Sequence, residues 1–576
     1  MSTLKPQSWL ECDKAVHAYI DGFVELLKEK LESRLIGVYL HGSLAMGSYF
    51  PPKSDMDFII VTDSQLDAEF AKLLNNAIAQ YSEIRPTAGS IECSVITLQT
   101  ARNVPEKMPY ELHYSEAWHE RILKNAVLYG KDQFDSDLPA HLMCVKRRGI
   151  CLCGMAIDDV FGNVSWHNFL LSVMDDFNWI VEGENICESP YYGVLNICRV
   201  MQIIIDGNEK YLSKYEGAVW GMENLPDKHI PLIQKALEIY ASNEPIDKRE
   251  QKTGGAVWDK AALLAFRDYA KDEISRAEII NFLNEHYPMS FNNLEKLRDM
   301  GSTSYSVIAD GVKYFLRVIK PAMFDTAVIG VEVQVYLQKK GFPVPAVINS
   351  CDGFLYVKTE NKLFILHDFI EGADSDPEQD IEAIGALVGR LHLEMKNYPG
   401  ALVKRDKQFY IGRYIDILRS REYPRAEDFF KYGEQLWEKI KNLPWGYCHG
   451  DMYDGNIRKT LEGELYIHDF DTSCKGIPMY DVTLICDRTE YFKYQESNLS
   501  KSNKMLSRFL PEYGKYSSIS QFEIDAFYAL IAVQHFSTQA TVMEIFGNDC
   551  LNDKELDEQL DWLHRWREQC ESGSGI

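Results

Sequence analysis

At 576 residues with 46% hydrophobic content, the chain is long enough for about three to four domain-sized units with buried cores. A formal net charge of −25 works against a nucleic-acid partner and suits cationic small molecules, although an acidic surface also serves plain solubility. No apolar run approaches the roughly 18 residues of a membrane span, and residues 1–6 lack the apolar core of a secretory signal. The 13 cysteines show no metal or disulfide spacing, so the reading is a cytosolic chain with reduced thiols and no membrane partner, structural metal or disulfide.

Trp9, Val16, Ile20, Phe23, Leu27 and Leu31 recur at helical spacing and predict an amphipathic helix over residues 8–32. Residues 34–40 read as an apolar strand closed by Gly42 and Ser43. Residues 45–50 are expected to form a short helix, 51–54 a loop and 55–61 a second strand. Strand side chains two apart share a face, so Asp55 and Asp57 project together while Met56, Phe58 and Ile60 turn into the core. Paired carboxylates repel. Mg²⁺ carrying substrate phosphates relieves that repulsion most directly; the alternative is a solvated strand end. The Gly42-Ser43 turn lets backbone approach a phosphate and offer it N–H groups and a hydroxyl. A third strand is predicted at 90–96. If it lies beside Asp57, Glu92 joins the pair as a metal ligand or as the base for an attacking hydroxyl.

Gly42-Ser43, eleven intervening residues and Asp55-Met56-Asp57 resemble the nucleotidyltransferase signature. More narrowly they resemble the aminoglycoside (3″)(9)-adenylyltransferases, which modify streptomycin and spectinomycin. The similarity continues through residues 110–116, 196–199, 214–220 and 266–270 and covers residues 10–276. The resemblance implies Asp55 and Asp57 as Mg²⁺ ligands, Glu92 as base for the drug hydroxyl, Gly42 and Ser43 at the nucleotide phosphates, and Lys214 as a basic residue near the nucleotide. Trp118 stands one place beyond the family's drug-contacting tryptophan. Val219 replaces the family's aspartate beside the later one, Trp220. Both tryptophans are candidates for the drug pocket or for core packing.

In the second half, residues 294–318 read as two apolar strands around a small-residue loop at 301–306, where Ser302 and Thr303 are placed to cover a triphosphate. Arg317 lies on the following strand. It is expected to pair with Glu332 on the next helix, or else to snorkel at the surface. His449-Gly450-Asp451, with Asn456 five residues on and Asp469-Phe470-Asp471 beyond, supplies a carboxylate for an acceptor hydroxyl and oxygen ligands for Mg²⁺ on a triphosphate. These loops resemble the aminoglycoside phosphotransferase and choline kinase family over residues 290–565. The resemblance implies Asp451 as catalytic carboxylate, Asn456 and Asp469 as metal ligands, and a nucleotide set of Ser302, Thr303, Arg317 and Glu332. Arg317 stands where that family usually has lysine and can still contact phosphate.

The expected fold is α+β and multidomain. A nucleotidyltransferase mixed sheet (residues 1–120) and a helical domain (121–276) precede a bilobal protein-kinase-like fold (N-lobe 277–370, C-lobe 371–576). The two halves are expected to pack or share a continuous helix. The expected function is bifunctional: adenylyl transfer from ATP to a spectinomycin- or streptomycin-like aminocyclitol, and ATP-dependent phosphorylation of an aminoglycoside-like hydroxyl. ATP and Mg²⁺ are the cofactors and a cationic small molecule the partner, with no nucleic acid. The alternatives are one active head, or a kinase-like head that phosphorylates a non-antibiotic small alcohol. Two complete sets of ligands and bases argue against a purely regulatory nucleotide binder. The oligomeric state is left open.

Overall fold

The computed structural model describes residues 4–51, 53–130, 133–207, 212–243, 253–300 and 302–573. The chain divides into two compact units, Met1–Ile279 and Ile280–Ile576, and the division falls inside one helix, Lys260–His286.

The first unit is built on five strands: β1 (Leu35–His41), β2 (Met56–Thr62), β3 (Ile91–Thr97), β4 (Leu112–Tyr114) and β5 (Ile150–Gly154). Their order is β4-β3-β2-β1-β5, with β2 and β3 parallel and the other neighbours antiparallel. Both faces are covered, which is why these strands read as nearly unbroken apolar runs. Phe58 and Ile60 pack with Val16, Ile20 and Phe23 of the helix Lys14–Leu31. The alternate residues Tyr39, Ile59 and Val61 join Phe169, Val194 and Phe266 of the helical part. Asp57 and Glu92 share the parity of Ile59 and Ile96, so the acids open toward the helical side. The opening helix starts at Lys14 rather than near residue 8. The short helix expected over 45–50 is found at Gly42–Ala45 instead: the chain turns at Gly42, with φ of 66°, as soon as β1 ends.

The second unit opens with β6 (Phe291–Met300), β7 (Ser302–Ala309), β8 (Val312–Ile319), β9 (Val357–Lys358) and β10 (Leu363–Asp368), in the order β6-β7-β8-β10-β9 and antiparallel throughout. The loop expected over 301–306 is mostly strand. Ser302 pairs with Met300 and residues 302–306 lie in β7, where Tyr305 and Val307 bury one face and the small hydroxyl residues do not interrupt the pleat. Gly301 lies outside the described residues. The helix Phe324–Lys339 packs Phe324, Ala327 and Val331 against Ile319, Leu363 and Ile365. The remaining helices form a separate core around Leu391, Phe429, Phe536 and Trp562, with short strands on its border carrying the loops near 450 and 470. The molecule is therefore mixed α+β with several sheets, as expected. Among the described residues no helix is long and apolar enough to cross a membrane.

Two candidate active sites

In the first unit, the parallel register of β2 and β3 sets Asp57 directly beside Glu92. Asp55, just before β2, accepts the Ser90 N–H at 2.8 Å. Asp57 accepts the backbone N–H of Ser43. Gly42 makes that approach possible, because a Cβ there would lie 1.7 Å from Asp57 Oδ2. The three carboxyls line one cavity of about 300 Å³ together with Gly42, Ser43 and Lys214. Burial and then the neighbouring charge of Asp55 push Asp57 up to about 7; burial and then Asp57 push Glu92 up to about 8. Burial also raises Asp55.

Lys214 opens the helix Lys214–Asn224 behind a capping box in which Ser213 and Glu216 satisfy each other's backbone N–H groups. Arg148 holds both oxygens of Glu216 at 2.9 Å and donates to Met46 O at 2.7 Å, while Ser213 Oγ donates to Ser48 Oγ at 2.8 Å. The lysine's helix is thus fixed to the turn that follows Ser43. Its ammonium stands 4.6 Å from the centre of the Tyr192 ring. Burial and then Arg199 lower its pKa, against the pull of Asp176, Asp57 and Asp55.

The cavity continues to Asp137, His141, Asp176 and Arg199. Asp176 accepts the Tyr192 hydroxyl at 2.9 Å and has Arg199 at 3.8 Å. Asp137 opens into the cavity, yet the surrounding protein and then Asp135 and Asp176 push it up to about 7. Trp118 and Trp220 are not among the lining residues. Trp118 packs on His113, and Trp220 lies against the helical core.

In the second unit, Asp481 anchors the loop that carries Asp451. It accepts the N–H groups of His449 and Gly450 at 2.7 and 2.9 Å and meets His392 Nε2 at 3.1 Å. Burial opposes the ionisation of Asp481, but His392 and these N–H groups hold it below the usual carboxylate range. Gly450 has φ of 83°, and a Cβ there would meet Arg405 Nη1 at 2.4 Å and Thr472 O at 2.6 Å. Asn456 donates its amide to Asp451 O and Oδ2 at 2.7 and 3.1 Å, which leaves its amide oxygen as the donor facing any cation. Asp451, Asn456 and Asp469 line a cavity of about 510 Å³ with Ser302 and Arg317. Burial and His449 act on Asp451 in opposite directions, with a net rise to which Asp469 adds. Burial likewise opposes Asp469, but Arg317 and His449 outweigh it and hold that carboxyl low.

Residues 20–94 match the model of the nucleotidyltransferase domain, residues 159–267 that of the aminoglycoside adenylyltransferase C-terminal domain, and residues 297–499 that of the phosphotransferase enzyme family. Each half thus matches a transferase family model over part of its length. The spectinomycin 9-adenylyltransferase of Campylobacter jejuni is 21% identical over 230 residues, which are 39% of this chain and 85% of that protein. The homoserine kinase of Agrobacterium fabrum is 23% identical over 279 residues, 44% of this chain and 80% of its own. Among solved structures, the spectinomycin adenyltransferase AAD(9) from Enterococcus faecialis with ATP and spectinomycin is similar at 20% identity and a TM-score of 0.38. It covers 45% of this chain and 100% of that one.

Not every residue expected in the phosphotransferase half comes together. The anticipated Arg317–Glu332 pair is not formed: Glu332 is exposed on its helix, and the guanidinium of Arg317 is held by Asp471 and Asp469. That helix faces the Phe470–Asp471 segment through Gly330, not through Glu332. Thr303 does not line the cavity and donates to Asp299 Oδ1 at 3.1 Å, whereas Ser302 does line it. Arg298 and Asp471 escaped the sequence reading. Arg298 lines the cavity from β6 and bears electrostatically on Asp469. Asp471 was visible only as the second acid of Asp469-Phe470-Asp471. In the adenylyltransferase half, Asp137 and Asp176 were missed, and the only sequence signal was the pairing of acids in Asp135-Ser136-Asp137 and Asp175-Asp176.

Proposed function

We propose that the chain is a cytosolic bifunctional transferase whose two heads both consume ATP. The first head, residues 1–276 with its sheet and helical domains meeting at residue 120, transfers AMP to a hydroxyl of a spectinomycin- or streptomycin-like aminocyclitol. The second, residues 277–576 with lobes meeting at 370, phosphorylates an aminoglycoside-like hydroxyl. The observation that carries this reading is the juxtaposition of Asp55, Asp57 and Glu92 on adjacent strands, in one cavity with Lys214.

Asp55 and Asp57 fit Mg²⁺: two crowded carboxyls, one pushed up to about 7, are the donors a dication stabilises as anions. In the second head Asp469 and the amide oxygen of Asn456 fit the same ion. Mg²⁺ at either place would neutralise phosphate charge. Among the described residues no three His, Cys, Asp or Glu side chains enclose a metal by themselves, so the remaining ligands would be phosphate and water. In the first head Glu92, made more basic by burial, accepts the acceptor's hydroxyl proton. The hydroxyl oxygen bonds to the α-phosphorus of ATP and the bond to pyrophosphate breaks. The Gly42-Ser43 turn and Lys214 hold the departing phosphates, and Asp137 and Asp176 receive the cationic acceptor. In the second head Asp451 takes the acceptor proton, the oxygen bonds to the γ-phosphorus, and ADP leaves.

A second reading keeps the first head and gives the second a non-antibiotic small alcohol, which the similarity to a homoserine kinase favours. Mass spectrometry of aminocyclitols, aminoglycosides and homoserine incubated with ATP, Mg²⁺ and the full chain distinguishes them. The expected result is an AMP-sized gain on spectinomycin or streptomycin that Asp57→Asn abolishes, and a phosphate-sized gain on an aminoglycoside that Asp451→Asn abolishes. A phosphate gain on homoserine alone selects the second reading. An AMP gain that persists in Asp57→Asn overturns the first site.

A further inference from the structure

The cation on the strand β8 is fully committed. Arg317 Nη1 donates to Asp471 Oδ1 at 2.8 Å and Nη2 to Asp471 Oδ2 at 2.5 Å, a two-pronged fork onto a buried carboxylate. Nη2 also lies 3.5 Å from Asp469 Oδ1. Arg317 borders the cavity, but both of its outer nitrogens are engaged by the carboxylates of the Asp469–Asp471 segment.

That loop is held in an unusual shape. Asp469 has φ of 62°, a left-handed conformation that costs a non-glycine residue free energy and persists only when its surroundings fix it. Two neighbours fix it. His468 donates its N–H to Asn456 O at 3.1 Å, and Asp471 is clamped between Arg317 and the helix Phe324–Lys339. The helix approaches at Gly330, where a Cβ would lie 2.9 Å from both Asp471 N and Asp471 Oδ1. Sheet, helix and loop therefore converge on one carboxylate, and the carboxylate partner of the sheet cation comes from the loop and not from the helix.

We propose that Arg317 and Asp471 are positioning residues that hold Asp469 in its ligand geometry, and that Arg317 does not serve as the phosphate-binding cation of the second head. This rests on the reading of that head as an ATP-dependent phosphotransferase with Asp469 as a ligand of the nucleotide's dication. Phosphate recognition then falls to other donors of the cavity, among them Arg298 on β6, which also acts on Asp469. An arginine is required because its planar fork engages both oxygens of Asp471, which a lysine ammonium cannot do.

The test uses the full chain with Asp57→Asn in the background, so that the first head does not contribute, and reads binding rather than turnover. Mn²⁺–ATP affinity is measured by Mn²⁺ electron paramagnetic resonance and calorimetry, ATP affinity in EDTA by calorimetry, and the folded fraction by thermal melting. Asp471→Asn and Arg317→Lys should each weaken Mn²⁺–ATP by about 10- to 100-fold, as expected for groups that orient a metal ligand, while ATP affinity in EDTA changes less than about threefold. The double variant should be no weaker than the worse single one, because both act through one contact. Arg317→Lys should retain more affinity than Arg317→Met. If Arg317 instead binds phosphate, Arg317→Met lowers ATP affinity in EDTA, and Asp471→Asn, which frees the arginine, leaves or raises it; that pattern overturns the proposal. Lower melting temperature with unchanged Mn²⁺–ATP affinity also overturns it, as a merely structural pair. If Asp469→Asn itself leaves Mn²⁺–ATP binding intact, the phosphotransferase assignment falls and this inference with it.

Discussion

Both sites gather acids around a place suited to phosphate-bound Mg²⁺, yet they manage the charge in opposite ways. At the first site three carboxyls share a cavity with Lys214, Lys53 and Arg199, and two of the carboxyls are driven up to about 7 and 8. At the second site an arginine sits inside the cluster, engages Asp471 and holds Asp469 low. At the first site the acids crowd one another; at the second the chain's own arginine pairs with them. Buried like charges are costly and buried paired charges are costly to unpair, so the two sites should answer the same perturbation with opposite signs.

The largest effects are on catalysis and should not cross between heads. Glu92→Gln is expected to lower adenylyl transfer by about 10²- to 10⁴-fold while phosphoryl transfer is unchanged, and Asp451→Asn to do the reverse. Steady-state rates of pyrophosphate and ADP release from one preparation check both. A loss of both activities in either variant would show that the heads depend on each other.

Next in size is stability without metal. Glu92 is raised in the folded state, so its contribution is present below its unfolded pKa of about 4 and is lost as pH rises through about 8. Neutralising it with Glu92→Gln should raise the melting temperature in EDTA at pH 8 and leave it unchanged at pH 4. At pH 8 Asp471→Asn should instead lower the melting temperature, for a loss of about 3 kcal/mol of stability, because the largely buried Arg317 loses its fork partner. Melting curves at the two pH values decide it. A gain from Asp471→Asn, or a loss from Glu92→Gln at pH 8, would remove the distinction between the sites.

How much of this was legible in the sequence follows the same division. The alternation of Met56, Asp57 and Phe58 fixes which way the acids point, whereas Lys214 was placed by resemblance alone and its capping box emerges only in the structure. The five-residue step from Asp451 to Asn456 puts both on one loop, and their hydrogen bond is present. What could not be read was pairing across distance. Arg317 and Asp471 are 154 residues apart, and Glu332 offered a nearer carboxylate that the helix turns outward. The small residues at 302–306 suggested a loop because serine and threonine are common in turns, but the partner strand β6 and the buried Tyr305 and Val307 draw them into β7. The far wall of the first cavity was invisible for a different reason: acids in a polar stretch look like solvated surface until the fold curves them around a hollow.

The smallest effect, and the one that sharpens the comparison most, belongs to that far wall. Asp137 is pushed up to about 7 by burial and by Asp135, Asp176 and Asp175, so in the free protein it passes from mostly neutral to mostly anionic between pH 6 and 8. Its contribution to the ligand-free fold is present below about pH 4 and is lost as pH rises through 7. A cationic acceptor reverses this, because an ammonium beside Asp137 favours the anion. Acceptor affinity should therefore rise between pH 6 and 8, by about three- to tenfold for roughly 1 kcal/mol of added ion-pair attraction. The melting-temperature gain on adding acceptor should grow in step. Asp137→Asn should flatten both profiles. Calorimetric titration of spectinomycin across this range measures the slope. A slope that survives Asp137→Asn would remove Asp137 from acceptor recognition and leave that role to Asp176, which already accepts the Tyr192 hydroxyl.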